Sequence, residues 1–245
     1  MIASLPMYDR PEVRGATDRF WQAIRAALGD GPETLHRKGD AWEDWQSPDL
    51  LLSQTCGFPY RKRLHGKVNL VATPSYDLPC NPPGYYHSAM VVRIDDRRAT
   101  LTDFADAVLA RNDPLSQSGW AAPEHEAAAL GFSFRRRTIN SGSHQASARM
   151  VAEGGADIAA LDAVSWAMIE RHDSFAGNLR VLARTRPTPG LPYVTAATRD
   201  PAPLAAAIAA AIPALSQSDR DDLLLTGLVR IPAQAYLDVW TPATG

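Results

Sequence analysis

Two short stretches of this 245-residue chain carry the residue types that hold an anion: Ser116-Gln117-Ser118-Gly119-Trp120 and Ser141-Gly142-Ser143-His144. In each, hydroxyls flank a glycine where a helical pattern begins. The first turn of a helix leaves N–H groups without intrahelical acceptors, and the macrodipole makes that end positive. Serine hydroxyls add donors, and a tetrahedral oxyanion accepts many of them at ~2.7–3.0 Å. A capping serine explains either stretch alone. Two such starts in successive strand–helix units point towards a bound anion. His144 is either a further donor or a structural histidine. Asp162, which follows the run Asp157-Ile158-Ala159-Ala160-Leu161, is either the N-cap of the next helix or the partner of a cation on the ligand.

Catalytic templates fail. The Gly-x-Ser-x-Gly elbow, the phosphate loop ending in Gly-Lys-Ser/Thr and the Gly-x-Gly-x-x-Gly fingerprint are all absent from the sequence. Ser141, His144 and Asp162 can be drawn as a triad, but nothing in their spacing demands one. Glu124-His125-Glu126 resembles a metal cluster superficially and reads as a solvated helix face. No catalytic residue, metal or cofactor is therefore expected. Cys56 and Cys80 fit no zinc or redox spacing; they are two thiols or one disulfide.

Composition narrows the class. Hydrophobic residues make up 45% of the chain and charged residues 21%, as in a globular protein with a real core. A net charge of −2 provides no general attraction for nucleic acid. The one basic run, Arg135-Arg136-Arg137, reads as a solvated strand edge. No window of ~18 apolar residues predicts a membrane span. The N-terminus lacks the pattern of a signal peptide, which places the protein in the cytoplasm unless the chain is a trimmed, mature form.

The elements that must position these residues alternate. Strands are expected at Ile2–Tyr8, Asp49–Thr55, Val68–Thr73, Tyr85–Ile94, Val108–Arg111, Phe134–Ile139, Asp157–Leu161, Leu179–Thr185 and Leu191–Ala197. Helical patterns cover Thr17–Leu28, Pro59–Leu64, Leu101–Ala107, Ser116–Leu130, Ser143–Glu153, Ala163–Arg171, Pro203–Ile212 and Ser218–Leu224, with a last turn near Ala233–Val239. This alternation predicts an α/β fold with largely parallel sheets. Tyr85–Arg93 and Arg186–Val194 read as connectors. Residues 89–187 would then form a lobe inserted into a first lobe built from 1–88 and 188–245. Ligands of such sheets bind beyond the carboxyl ends of strands. Tyr8, Gln54 and Thr55 stand at such ends, as do Ser116–Gly119, Ser141–His144 and Asp162.

Taken in order, Asp49–Gly57 (DLLLSQTCG), Asn112–Trp120 (NDPLSQSGW), Ser141–His144 (SGSH), Asp157–Ala163 (DIAALDA) and Pro187–Pro192 (PTPGLP) carry a resemblance. The chain resembles the phosphate/phosphite/phosphonate-type substrate-binding proteins of ABC transporters, the phosphonate-binding branch of the type 2 periplasmic-binding fold. The resemblance implies two α/β lobes with mixed, mostly parallel sheets, two crossover hinge strands and a ligand in the cleft. It implies that Ser116, Ser118 and Gly119, with Ser143 and His144, hold the phosphonate group. Asp162 would meet an amino group, and Tyr8, Gln54 and Thr55 would close over the ligand from the first lobe. It implies a small oxyanion ligand, an ABC transporter permease as partner, and a periplasmic location. A monomer is expected. Two other readings stay open: a cytoplasmic ligand-binding sensor on the same fold, and an enzyme of the cofactor-precursor synthase type using His144 or Cys56.

Overall fold

A computed structural model describes residues 1–78 and 81–242. The chain folds into two compact units. One comprises Met1–Tyr85 and Pro189–Leu237; the other comprises Tyr86–Thr188 and the residues from Asp238 onwards. The C-terminal stretch therefore departs from the expectation that all of 188–245 builds the first unit. Trp240 stacks on His125 of the second unit, with ring centroids 4.9 Å apart.

The sheet of the first unit runs in the order Ile2–Ala3, Leu50–Gln54, Tyr193–Ala196, Val68–Tyr76, Leu225–Val229. Leu50, Leu51 and Leu52 are all buried. An unbroken apolar run of this kind is what a strand covered on both faces requires. Helix Arg14–Leu28 turns Phe20, Trp21 and Ile24 inwards and packs on helix Pro201–Ala214. Each such fully buried side chain contributes about 1.5–3 kcal/mol.

The second unit's sheet runs Thr138–Asn140, Leu109–Arg111, Ile158–Asp162, Ser88–Arg93, Leu179–Arg184. The first three strands are mutually parallel. Ser88–Arg93 and Leu179–Arg184, which bring the chain into and out of this unit, are antiparallel to their neighbours. In the first unit Tyr193–Ala196 is antiparallel to both strands beside it. The sheets are thus mixed, but less parallel than expected. Strand–helix alternation reveals the parallel units and hides the strands that carry the chain back.

Other differences have local causes. The strand expected at Phe134–Ile139 is only Thr138–Asn140. Glu124, expected on a solvated face, is buried instead. Its carboxylate accepts the Phe134 N–H at 2.7 Å and the Ser133 hydroxyl at 2.8 Å. These bonds pin a turn, so Arg135–Arg137 is no strand edge. Two charge-assisted bonds to a buried carboxylate make Glu124→Ala costly. A loss of about 2–3 kcal/mol is expected in urea unfolding, because the Phe134 amide is left unpaired.

Helix Ala41–Gln46 and strand Leu225–Val229 were not legible in the sequence. One is only six residues long; the other contains Gly227 and follows Leu224, whose φ is 55°. The long strand expected at Tyr85–Ile94 is interrupted at His87. Cys80 lies outside the described residues, and the Cys56–Cys80 pairing with it. No helix among the described residues is long and apolar enough to cross a membrane.

Candidate functional site

The three parallel strands of the second unit end at Arg111, Asn140 and Asp162, and each leads into a helix start. The sequence supplies a short polar cap at each one. Ser116 Oγ accepts the Gly119 N–H at 2.9 Å. Ser143 Oγ accepts the Ala146 N–H at 3.0 Å. Asp162 Oδ1 accepts the N–H groups of Val164 at 2.8 Å and Ser165 at 3.1 Å. Asp162 is therefore a helix cap in fact, one of the two roles its sequence position allowed.

The first two starts are joined. Ser118 Oγ lies 2.9 Å from His144 Nε2, and 3.5 Å from Ser116 Oγ. The helix that begins at Gln117 opens with a wide turn, in which the Ala121 N–H donates to the Ser116 carbonyl at 3.0 Å. Ser88 lies opposite Asp162 in the sheet, and its hydroxyl donates to the Ser118 carbonyl at 3.0 Å. Ser141 serves its own loop: its Oγ lies 2.6 Å from Ser147 Oγ and 3.0 Å from the Ser143 carbonyl.

Gly119 is required by close approach. A methyl group there would run into the Asn112 side-chain oxygen. That oxygen is buried and has no hydrogen-bond partner, and the same is true of His144 Nδ1. Burial without a charged partner disfavours the imidazolium and pushes the His144 pKa down to about 4. The Arg111 guanidinium lies 4.5 Å over the Trp120 ring and donates to Asn140 Oδ1 at 2.7 Å. Beside that one cation the donors gathered at this edge are neutral: hydroxyls, an imidazole and backbone N–H groups.

The depressed pKa has a readable consequence. An unfolded histidine takes its proton near 6.5, whereas His144 in the folded chain does so near 4. Its contribution to stability is present in full above pH 6.5 and lost as pH falls towards 4. An NMR pH titration is expected to find the His144 ring neutral at pH 6. An anion placed beside it should raise its midpoint. A ring titrating near 6.5 without ligand would contradict the buried placement.

In the first unit, Tyr8 and Gln54 share one small cavity of about 30 Å³ with Phe20, Tyr76 and Tyr193. The Tyr8 and Tyr76 rings meet edge to face, 5.4 Å apart. The Gln54 amide donates to Tyr76 Oη at 3.2 Å and to the Leu191 carbonyl at 3.0 Å. Burial pushes the Tyr193 phenol up, so it stays protonated. Thr55 is buried; its N–H donates to the Pro192 carbonyl at 3.1 Å. Sequence reasoning missed Ser88, Asn112, Tyr76 and Tyr193. Ser88 had a signal, a hydroxyl inside an apolar run. Asn112 had another, the first residue beyond a strand whose end was already of interest.

Over residues 49–236 the chain matches the family described as ABC transporter, phosphonate, periplasmic substrate-binding protein. No curated protein sequence matches it. Among solved structures it is similar to PhnD1 from Prochlorococcus marinus in complex with methylphosphonate, with TM-score 0.76 at 16% identity over 96% of this chain and 94% of that one. A binding protein component of an ABC phosphonate transporter from Pseudomonas aeruginosa gives TM-score 0.74 at 16% identity, over 93% and 80%. A Xanthomonas citri protein bound to chloride ion gives 0.70 at 16% identity, over 96% and 92%. At such identities these structures show a shared fold, that of the type 2 periplasmic-binding proteins.

Proposed function

The chain belongs to the phosphonate-type periplasmic substrate-binding proteins of ABC transporters, and from that membership we propose that it binds a small tetrahedral oxyanion at the carboxyl edge of the second unit's parallel strands. A phosphonate, phosphite or phosphate-like compound fits best. The observation that carries this reading is the Ser118–His144 hydrogen bond, which draws two capped helix starts together at that edge. Stripping water from the anion costs several kcal/mol. Ser116, Ser118, Ser143, His144 and the N–H groups around Gly119 offset that cost as charge-assisted donors.

Asp162 lies at the same edge and favours a ligand that also bears an amino group. Ser141 keeps its loop in shape. The protein captures and releases its ligand without transforming it, and hands it to a membrane permease. Isothermal calorimetry with phosphate, phosphite, methylphosphonate and aminoethylphosphonate tests the reading. Heat of binding with at least one is expected; silence with all four would refute the ligand class.

A further inference from the structure

The first unit has a second concave feature, remote in sequence from the cradle. A groove of about 600 Å³ runs along Val68–Thr73, with Arg230, Ile231 and Pro232 on one wall and Pro201 and Ala205 on another. Its floor is an open strand edge. Strand Val68–Tyr76 pairs with Tyr193–Ala196 along Val68–Ala72, and with Leu225–Val229 only from Thr73 onwards. Beyond Val229 the chain leaves the sheet. Pro232 has no N–H to give to a ladder and leads into the helical turn Ala233–Leu237. Apart from a single bridge between His65 and Val68, Val68–Ala72 therefore has a strand on one side and none on the other.

An open edge of this kind is a template for another strand unless it is blunted. Arg230 is the one charged side chain that lines the groove, and Lys67 is exposed just before its floor. Among the described residues neither is paired with a carboxylate. Asp200, at the start of the neighbouring helix, is outside the groove's lining and accepts the Ala202 N–H at 2.9 Å. Leu70, Ile231 and Ala233 are only partly covered and add apolar contact.

We propose that this groove is a docking site for an extended peptide segment of a partner protein, one that alternates apolar and acidic side chains. Its backbone would add a strand beside Val68–Ala72. Its apolar side chains would rest on Leu70 and Ile231, and its carboxylates would meet Arg230 and Lys67. This mode takes affinity from main-chain bonds and specificity from alternate side chains. It is independent of the anion the cradle takes.

The test uses the full chain and a terminally blocked peptide, Thr-Val-Glu-Val-Glu-Val-Thr, against the same peptide with Lys for Glu. The acidic peptide is expected to slow hydrogen exchange of amides within Val68–Ala72, and the lysine peptide to leave them unchanged. Arg230→Glu should weaken acidic-peptide binding at least about tenfold, with an unchanged melting temperature and unchanged oxyanion binding. No protection by the acidic peptide at millimolar concentration would overturn the proposal. Equal protection by both peptides would remove its charge argument and overturn the stated partner. Protection that grows with protein concentration alone would assign the edge to a second copy instead.

Discussion

His144→Ala is expected to weaken oxyanion binding about 10- to 100-fold, the effect of losing one hydrogen bond to a charged group. The ring sits where two helix starts meet, with Nε2 at 2.9 Å from Ser118 Oγ. Its Nδ1 is buried with no partner. Burying a polar atom unpaired is costly, and such a cost is tolerated where a ligand later meets the group. Calorimetric titration of the variant with the tightest oxyanion checks this. The fold should survive, because the helix His144–Ala152 is capped by Ser143 and not by the ring. Unchanged affinity in a folded variant would remove His144 from the site.

Gly119→Ala should cost stability as well as affinity. The new methyl must displace the Asn112 carboxamide or push back the helix start that Ser116 caps. Overpacking of this kind costs about 1–3 kcal/mol of stability. It also misplaces Ser118, so affinity should fall by at least about tenfold, as losing one charge-assisted bond would make it. The cause can be isolated. Asn112→Ala alone should be mild, since its buried oxygen has no partner to lose. The double variant Asn112→Ala/Gly119→Ala should regain most of both losses, because the collision has gone. Additive losses in the double variant would mean that Asn112 is not what forbids a side chain at 119.

What was legible in the sequence divides by range of interaction. Ser116, Ser143 and Asp162 are capping residues set just before helical patterns, and all three caps form. Local chemistry decides them, and local sequence reveals them. Glu124 was misread because its partners, Ser133 and Phe134, lie beyond the end of its helix. Nothing in Glu-His-Glu says that a turn nine residues on needs an anchor. Strand direction was overcalled as parallel for a similar reason. Helical crossovers are visible as periodicity, whereas Tyr193–Ala196 finds its antiparallel neighbours only in three dimensions.

The serine–histidine cluster shows the same division. Ser118 and His144 are 26 positions apart, and their proximity was inferred from two similar motifs in consecutive strand–helix units. Ser88 reaches Ser118 through a sheet pairing with Asp162 that no motif announces. In the first unit Gln54 stands at a strand end and lines the small cavity. Tyr76, to which its amide donates, closes a strand that ran three residues further than its apolar pattern.

The central claim is that an oxyanion rests on the paired helix starts of the second unit. A crystal structure of the protein grown with methylphosphonate tests it most directly. The account predicts tetrahedral density within hydrogen-bonding distance of Ser118 Oγ, the His144 ring and backbone N–H groups near Gly119. Density for the ligand elsewhere, with Ser118 and His144 still bonded only to each other, would contradict it.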